Sequence, residues 1–191
     1  MYMMDLFHSR GVVLGNGMSG ALDKSAEDSE GPRKHPFAKS IEDVITFRFK
    51  LLVAIGERAG QHWSERLFDL SLNEWRLLAL VKARAPTRAG DIADLLVMDK
   101  SQTSRVVKTL LTKGLVQDRP DTEDGRAHVL ELTEKGEALY EPVFEKVLKS
   151  NERVLATLTA EEVRMLDSVL DKLIDHNRDL LDKRMGRQTA R

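Results

Sequence analysis

The stretch 99–115, DKSQTSRVVKTLLTKGL, constrains the fold more than any other part of this chain. Asp99 is a favoured N-cap residue, and Gln102 follows three positions later, an Asp variant of the capping box. Thr103, Val106, Val107, Leu110 and Leu111 recur at helical spacing and predict one buried stripe. Ser101, Gln102, Ser104, Arg105, Lys108 and Thr109 take the remaining positions, a face of donors and positive charge without a carboxylate. Gly114 predicts a left-handed stop. Taken alone, such a helix is either an ordinary amphipathic surface helix or one sized for a B-DNA major groove.

Its neighbours in sequence weigh on that choice. Upstream, Ser71-Leu72-Asn73-Glu74 is a capping box that opens a helix carrying Trp75, Leu77, Leu78 and Val81, ended by Ala85-Pro86. Thr87 is the expected cap of a further short helix with Ile92, Ala93, Leu95 and Leu96 on its apolar face. Residues 97–99 then lead into the donor-faced helix, which is the helix-turn-helix layout. Downstream, two β-rich runs, 116–119 and 128–132, flank a segment holding Pro120, Asp121, Asp124 and Gly125, all turn formers. This predicts a hairpin with a long charged tip, a wing, in which Arg126 is placed to reach a minor groove.

The two ends of the chain read differently. Residues 1–40 open with a short apolar cluster and continue in Gly, Ser, Pro and charged residues, which predicts a flexible arm or a segment docking on a partner subunit. A first long helix is expected from Ile41 to about Gln61, capped by Ser40 with Asp43 three residues on. A short helical piece carrying His62, Trp63, Arg66 and Phe68 is expected after it. Thr133 caps a long helix to about Leu155, and Thr159-Ala160-Glu161-Glu162 opens the last one, striped with Leu166, Val169, Leu170, Leu173 and Leu180. Arg184, Arg187 and Arg191 form a basic tail. The expected division is an arm over 1–40, dimerisation helices over 41–70, a DNA-binding domain over 71–132, and dimerisation helices with the tail over 133–191. Three long apolar-striped helices are more than one small winged helix can cover, and they predict a homodimer.

Composition excludes several classes. The 191 residues carry a formal net charge of −1, so any nucleic-acid contact must rest on a local patch. There is no cysteine, which removes disulfides, thiolate metal sites and thiol redox sensing. No apolar run approaches the roughly 20 residues of a membrane span, and no leader pattern opens the chain, so a cytoplasmic protein is expected. No G-x-S-x-G, P-loop, H-E-x-x-H or dinucleotide fingerprint is present, so neither catalytic residues nor a cofactor is expected. His62, His128 and His176 lack metal-ligand spacing.

The combination resembles the MarR (multiple antibiotic resistance regulator) family, over roughly Ile41 to Leu181. The resemblance is carried by Leu110-Leu111-Thr112-Lys113-Gly114-Leu115-Val116, then Asp121, Asp124 and Arg126, then Leu130-Glu131-Leu132-Thr133-Glu134-Lys135-Gly136. Leu70-Ser71-Leu72-Asn73-Glu74-Trp75 also looks like the family's entry to its second core helix. The fold class expected is mainly α with a small β-hairpin wing, a winged helix-turn-helix with N- and C-terminal dimerisation helices. The resemblance implies a homodimer gripping successive major grooves of a pseudo-palindromic double-stranded operator. It also implies a cleft between dimer region and DNA lobe, lined by the helices over 41–70 and often used for small aromatic acids. Two departures stand out: the cysteine by which some relatives sense oxidants is missing, and the arm is longer than the family norm.

These readings assign roles. Gln102, Ser104, Arg105 and Lys108, with Ser101, are the groove-facing set; Gln suits adenine, and Arg suits guanine or phosphate. Arg126 belongs to the wing, with Asp124 either orienting an arginine or serving as a turn residue. Lys113, Arg119 and Arg88 are generic phosphate candidates. For an effector cleft the candidates are Trp75, Trp63, His62 and Arg48, the last able to pair with a carboxylate; each also has a plainer reading, the tryptophans as core. The alternative function is a ligand-independent winged-helix protein that binds DNA or another subunit.

Overall fold

The chain divides into two units, Met1–Phe49 and Lys50–Arg191, and the computed structural model describes residues 38–122 and 127–186. The arm as far as residue 37, the wing-tip residues Asp124, Gly125 and Arg126, and the tail residues Arg187 and Arg191 lie outside the described residues. In the first unit Ser40 does cap, but what it caps is a single 3₁₀ turn, Ile41–Asp43. The Asp43 carboxylate accepts from the Ser40 and Lys39 amides at 3.0 and 2.9 Å. Val44 is then extended, and the long helix α1 (Ile45–Phe68) begins only at Ile45. The helix expected from Ile41 is corrected accordingly.

In the second unit α1 runs unbroken to Phe68, where a separate short helix was expected beyond Gln61. The apolar pattern changes there because the helix changes neighbours. Leu51, Leu52, Val53 and Ile55 stay exposed, whereas Trp63 and Phe68 pack on the core, their rings edge-on at 6.1 Å. Asp69, at φ 52°, and buried Leu70 close the helix, their amides reaching back to the Glu65 and Ser64 carbonyls.

Helix α2 (Leu72–Arg84) starts at the predicted capping box. Glu74 N donates to Ser71 Oγ at 3.2 Å, and Ser71 N to Glu74 Oε2 at 2.9 Å. Its Trp75, Leu77, Leu78 and Val81 are all buried. Thr87 does not cap the next helix. Its amide and carbonyl pair instead with Leu130, at 3.4 and 2.8 Å, so Thr87 adds a one-residue bridge to the wing. Helix α3 (Ala89–Leu96) therefore starts from Arg88 without a side-chain cap. It ends at Val97, which adopts φ 53°.

Helix α4 (Lys100–Thr112) is capped by Asp99, which accepts from Gln102 N at 2.7 Å. Thr103 and Leu110 are buried and Val106 and Val107 half-buried, but Leu111 is 37% exposed. Five apolar positions span a wider arc than α2 and α3 cover, so the stripe is narrower than predicted. The stop is as expected: Gly114 has φ 66°, Leu115 N donates to Leu110 O and Gly114 N to Leu111 O, both at 3.0 Å. That is a Schellman closure with buried leucines at its two ends.

Strands β1 (Val116–Pro120) and β2 (His128–Leu132) pair antiparallel, with Val116 opposite Leu132 and Pro120 opposite His128. Thr133 caps α5 (Glu134–Leu155), accepting from Gly136 N at 3.0 Å and donating to the Gly114 carbonyl at 2.6 Å. Gly136 is required here, because a Cβ on it would stand 2.0 Å from the Leu115 carbonyl oxygen. Thr159 and Glu162 form the predicted box that opens α6 (Ala160–Arg184), a helix with no buried residue. The core thus sits where α2, α4, the wing strands and Val143 of α5 meet.

Candidate nucleic-acid interface

The outward face of α4 follows from its sequence. With Thr103 and Leu110 inward, Ser101, Ser104, Arg105 and Lys108 are exposed, and Gln102 is half-buried. No carboxylate lies within Lys100–Thr112. Thr109 belongs to this face less than expected. It is half-buried, and its hydroxyl donates to the Arg105 carbonyl at 3.0 Å, as that of Thr112 does to Lys108. Asp99 stands just before the helix, and its charge is held by the helix start. The Gln102 amide, then the Ser101 hydroxyl, donate to it at 2.7 Å and keep its carboxyl below the usual range. The anion at the N-terminus leaves Lys100, Arg105 and Lys108 as the charges that α4 shows to solvent.

The generic phosphate candidates are all engaged within the lobe. Arg119 grips Glu131 across the wing strands with two hydrogen bonds, of 2.9 and 2.5 Å. That pairing holds the Glu131 carboxyl below, and the Arg119 guanidinium above, its ordinary range. Arg88 pairs with Asp121 at 2.7 Å. Lys113 turns inward to the Asp69 carbonyl and to Glu74, 3.1 Å away, tying the end of α4 to the junction of α1 and α2. As phosphate contacts these three would bring an ion pair rather than an uncompensated cation. His128 pairs with Asp118 at 2.9 Å at the exposed, tip-side end of the wing strands. Among the described residues no group of His, Asp and Glu could hold a metal ion, and no helix is long and apolar enough to cross a membrane.

Behind α2, away from α4, lies a groove of about 400 Å³ between α1, α2 and α5. Trp63 and Trp75 both line it. Trp75 is only 8% exposed and stacks on Tyr140 at 5.6 Å, which stacks in turn on Phe144 at 5.3 Å. It is therefore a core residue, as its plainer reading has it, with one edge on the groove. His62 is exposed and not among the lining residues; Arg48, also exposed, belongs to the first unit. The polar groups on the walls are Ser150, Asn151, and Arg76 paired with Glu57 at 2.8 Å. Sequence reading missed that pair, since 19 residues separate its members and neither belongs to a motif.

Two helices joined through residues 97–99, the second showing cations outward, with a two-stranded hairpin behind them, define a winged helix-turn-helix domain. A family model described as MarR family matches residues 68–127, the core of this domain. The HTH-type transcriptional repressor IacR of Pseudomonas putida is 26% identical over 168 residues, covering 86% of this chain and all of that protein. The HTH-type transcriptional regulator YwoH of Bacillus subtilis is 30% identical over 95 residues, covering 50% of this chain and 69% of that one. A MarR family transcriptional regulator from Listeria monocytogenes, solved with a 26mer DNA, superposes with a TM-score of 0.69 at 21% identity, covering 78% of this chain and 99% of that one. The chain belongs to the MarR family and is a DNA-binding transcriptional regulator, not an enzyme.

Proposed function

We propose that the chain is a homodimeric repressor that binds a pseudo-palindromic operator through α4 and the wing and is released by a small aromatic acid. The observation that carries the DNA part is the exposed, carboxylate-free face of α4 with Arg105 and Lys108 at its centre. Gln102 suits adenine and Arg105 suits guanine, while Ser101 and Ser104 donate to phosphate or base edges. Arg88, Lys113 and Arg119 serve mainly to hold the lobe's shape at the phosphates. Arg126, with Asp124 to orient it, is assigned to the minor groove on sequence grounds.

The dimer reading is supported by apolar side chains left exposed on three helices: Leu51, Leu52 and Ile55 on α1, Leu148 and Val154 on α5, and Leu170, Leu173 and Leu180 on α6. Apolar side chains exposed in such number mark a protein interface. On this reading 71–132 is the DNA domain, and 41–70 and 133–191 carry the interface. The ligand reading is supported by the groove, whose size falls in the roughly 300–1,000 Å³ range of small-molecule sites. A ligand carboxylate would compete with Glu57 for Arg76. Because α2 lines the groove and also packs on α4, a ligand that prefers one arrangement of α2 shifts the population of DNA-competent molecules.

The test is selection of duplexes from a random-sequence library by the full chain. The expected winner is an inverted repeat with half-site centres about 10 base pairs apart, or a multiple of that, bound by two chains. Benzoic acids, added as a panel, should weaken that binding by about 5- to 150-fold. Failure to enrich any sequence sinks the operator; enrichment that the panel leaves untouched favours the ligand-independent alternative.

A further inference from the structure

Arg178 lies toward the end of α6, a helix that buries no residue, yet Arg178 itself is half-buried. Its guanidinium reaches the far end of α3. Nη2 donates to the Leu95 carbonyl at 2.9 Å, and Nη1 lies 3.5 Å from the Asp94 carbonyl. Carbonyls in the last turn of a helix lack a helical donor four residues on, so they need a partner from elsewhere. At this end Met98 N and Val97 N turn back to the Ala93 and Asp94 carbonyls, at 2.9 and 3.3 Å. Arg178 supplies a donor to Leu95 from a residue 83 positions away, and puts a positive charge at the negative end of the α3 dipole.

That end of α3 is where the turn into α4 begins. Val97 holds the turn in a left-handed conformation that a β-branched residue keeps only when its surroundings impose it. We propose that Arg178 is a positioning residue for DNA recognition: by pinning the Leu95 carbonyl it fixes the 97–99 turn, and so the direction of α4, to α6. Any change in the setting of α6 then reaches the recognition helix through one side chain. Arg178 itself touches no DNA. The inference rests on reading α4 as the groove-facing helix.

The experiment compares full-length Arg178→Gln and Arg178→Lys with wild type, by amide exchange and by titration of a duplex selected by the wild type and its scrambled counterpart at several salt concentrations. In Arg178→Gln the Met98 amide should exchange faster. Preference for the selected over the scrambled duplex should fall by about tenfold, within the range of coupling-residue effects. Melting temperature, oligomeric state, affinity for scrambled DNA and the salt slope should all stay at wild-type values. Arg178→Lys should recover part of the preference, since an ammonium keeps the charge and one donor but loses the fork. Wild-type discrimination in Arg178→Gln overturns the proposal. So does a salt slope lowered by about one unit per site, which would make Arg178 a phosphate ligand. Should the wild type enrich no duplex, the operator reading falls by itself; unchanged exchange at Met98 overturns the Arg178 pin in either case.

Discussion

Val97 closes α3 at φ 53° with its side chain 66% exposed, so the strain of a β-branched residue in the left-handed region is not offset by packing. Asn tolerates that region, and Val97→Asn should stabilise the protein by about 0.5–1 kcal/mol in urea unfolding; a loss of stability would show that the valine packs in a way its exposure does not suggest. Gly136 is the opposite case. Its close approach to the Leu115 carbonyl means that Gly136→Ala should cost about 1–3 kcal/mol or more, measured the same way. Neither position was legible in the sequence. Gly136 reads as an ordinary helix residue until Leu115 is brought beside it, and Val97 runs against local propensity. Trp75 was legible as an aromatic near the start of α2, but its stack on Tyr140 changes how it can be tested. Trp75→Ala should cost about 3–5 kcal/mol and would confuse folding with ligand response. Arg76→Gln, on a half-exposed side chain, tests carboxylate binding more cleanly: the benzoic acid response should drop while melting temperature holds.

At the scale of elements, capping was the most readable feature. Ser71, Asp99, Thr133 and Thr159 all cap where they were expected to. Thr87 failed because its backbone pairs with Leu130, a distant partner that no local pattern announces. Two of the caps and one wing ion pair also set the pH response. Asp99, Glu131 and Glu162 have carboxyls held below their ordinary range, by the Gln102 amide, by Arg119 and by the Thr159 amide respectively. A carboxyl whose folded pKa is lowered contributes stability that is present above its unfolded value and lost as pH falls through the folded one. Melting temperature should therefore be level above about pH 5 and decline below about pH 4. Asp99→Asn should make that decline shallower, because its cap no longer titrates; an identical acid limb would mean that Asp99 carries none of it. Lys82, raised by its bond to Glu137, acts on the other flank. Its contribution is present below the ordinary lysine value of about 10.4 and lost as pH rises through the raised one.

For the whole molecule, the apolar surplus on α1, α5 and α6 was visible in the sequence as stripes, because helical period alone reveals them. What period could not reveal was continuity: α1 runs through Gly60 and Gln61, where the pattern changed only because the neighbours did. If those exposed stripes are a subunit interface, sedimentation at micromolar concentration should show a dimer, and a chain ended after Leu158 should be insoluble or unfolded; a soluble, folded monomer would contradict it. Whether α4 reads DNA with its donor face is decided by titrating wild type and Arg105→Ala against the selected duplex and its scrambled form over a range of salt. If Arg105 reads a base, the mutant should lose about 1–3 kcal/mol on the selected duplex and relax preference at one position per half-site. If it neutralises a phosphate, both duplexes should weaken alike, and the salt slope should fall by about one unit for each arginine removed, two for a dimer. An Arg105→Ala protein that binds both duplexes as wild type does, with the same salt slope, would contradict the placement of the DNA surface on α4.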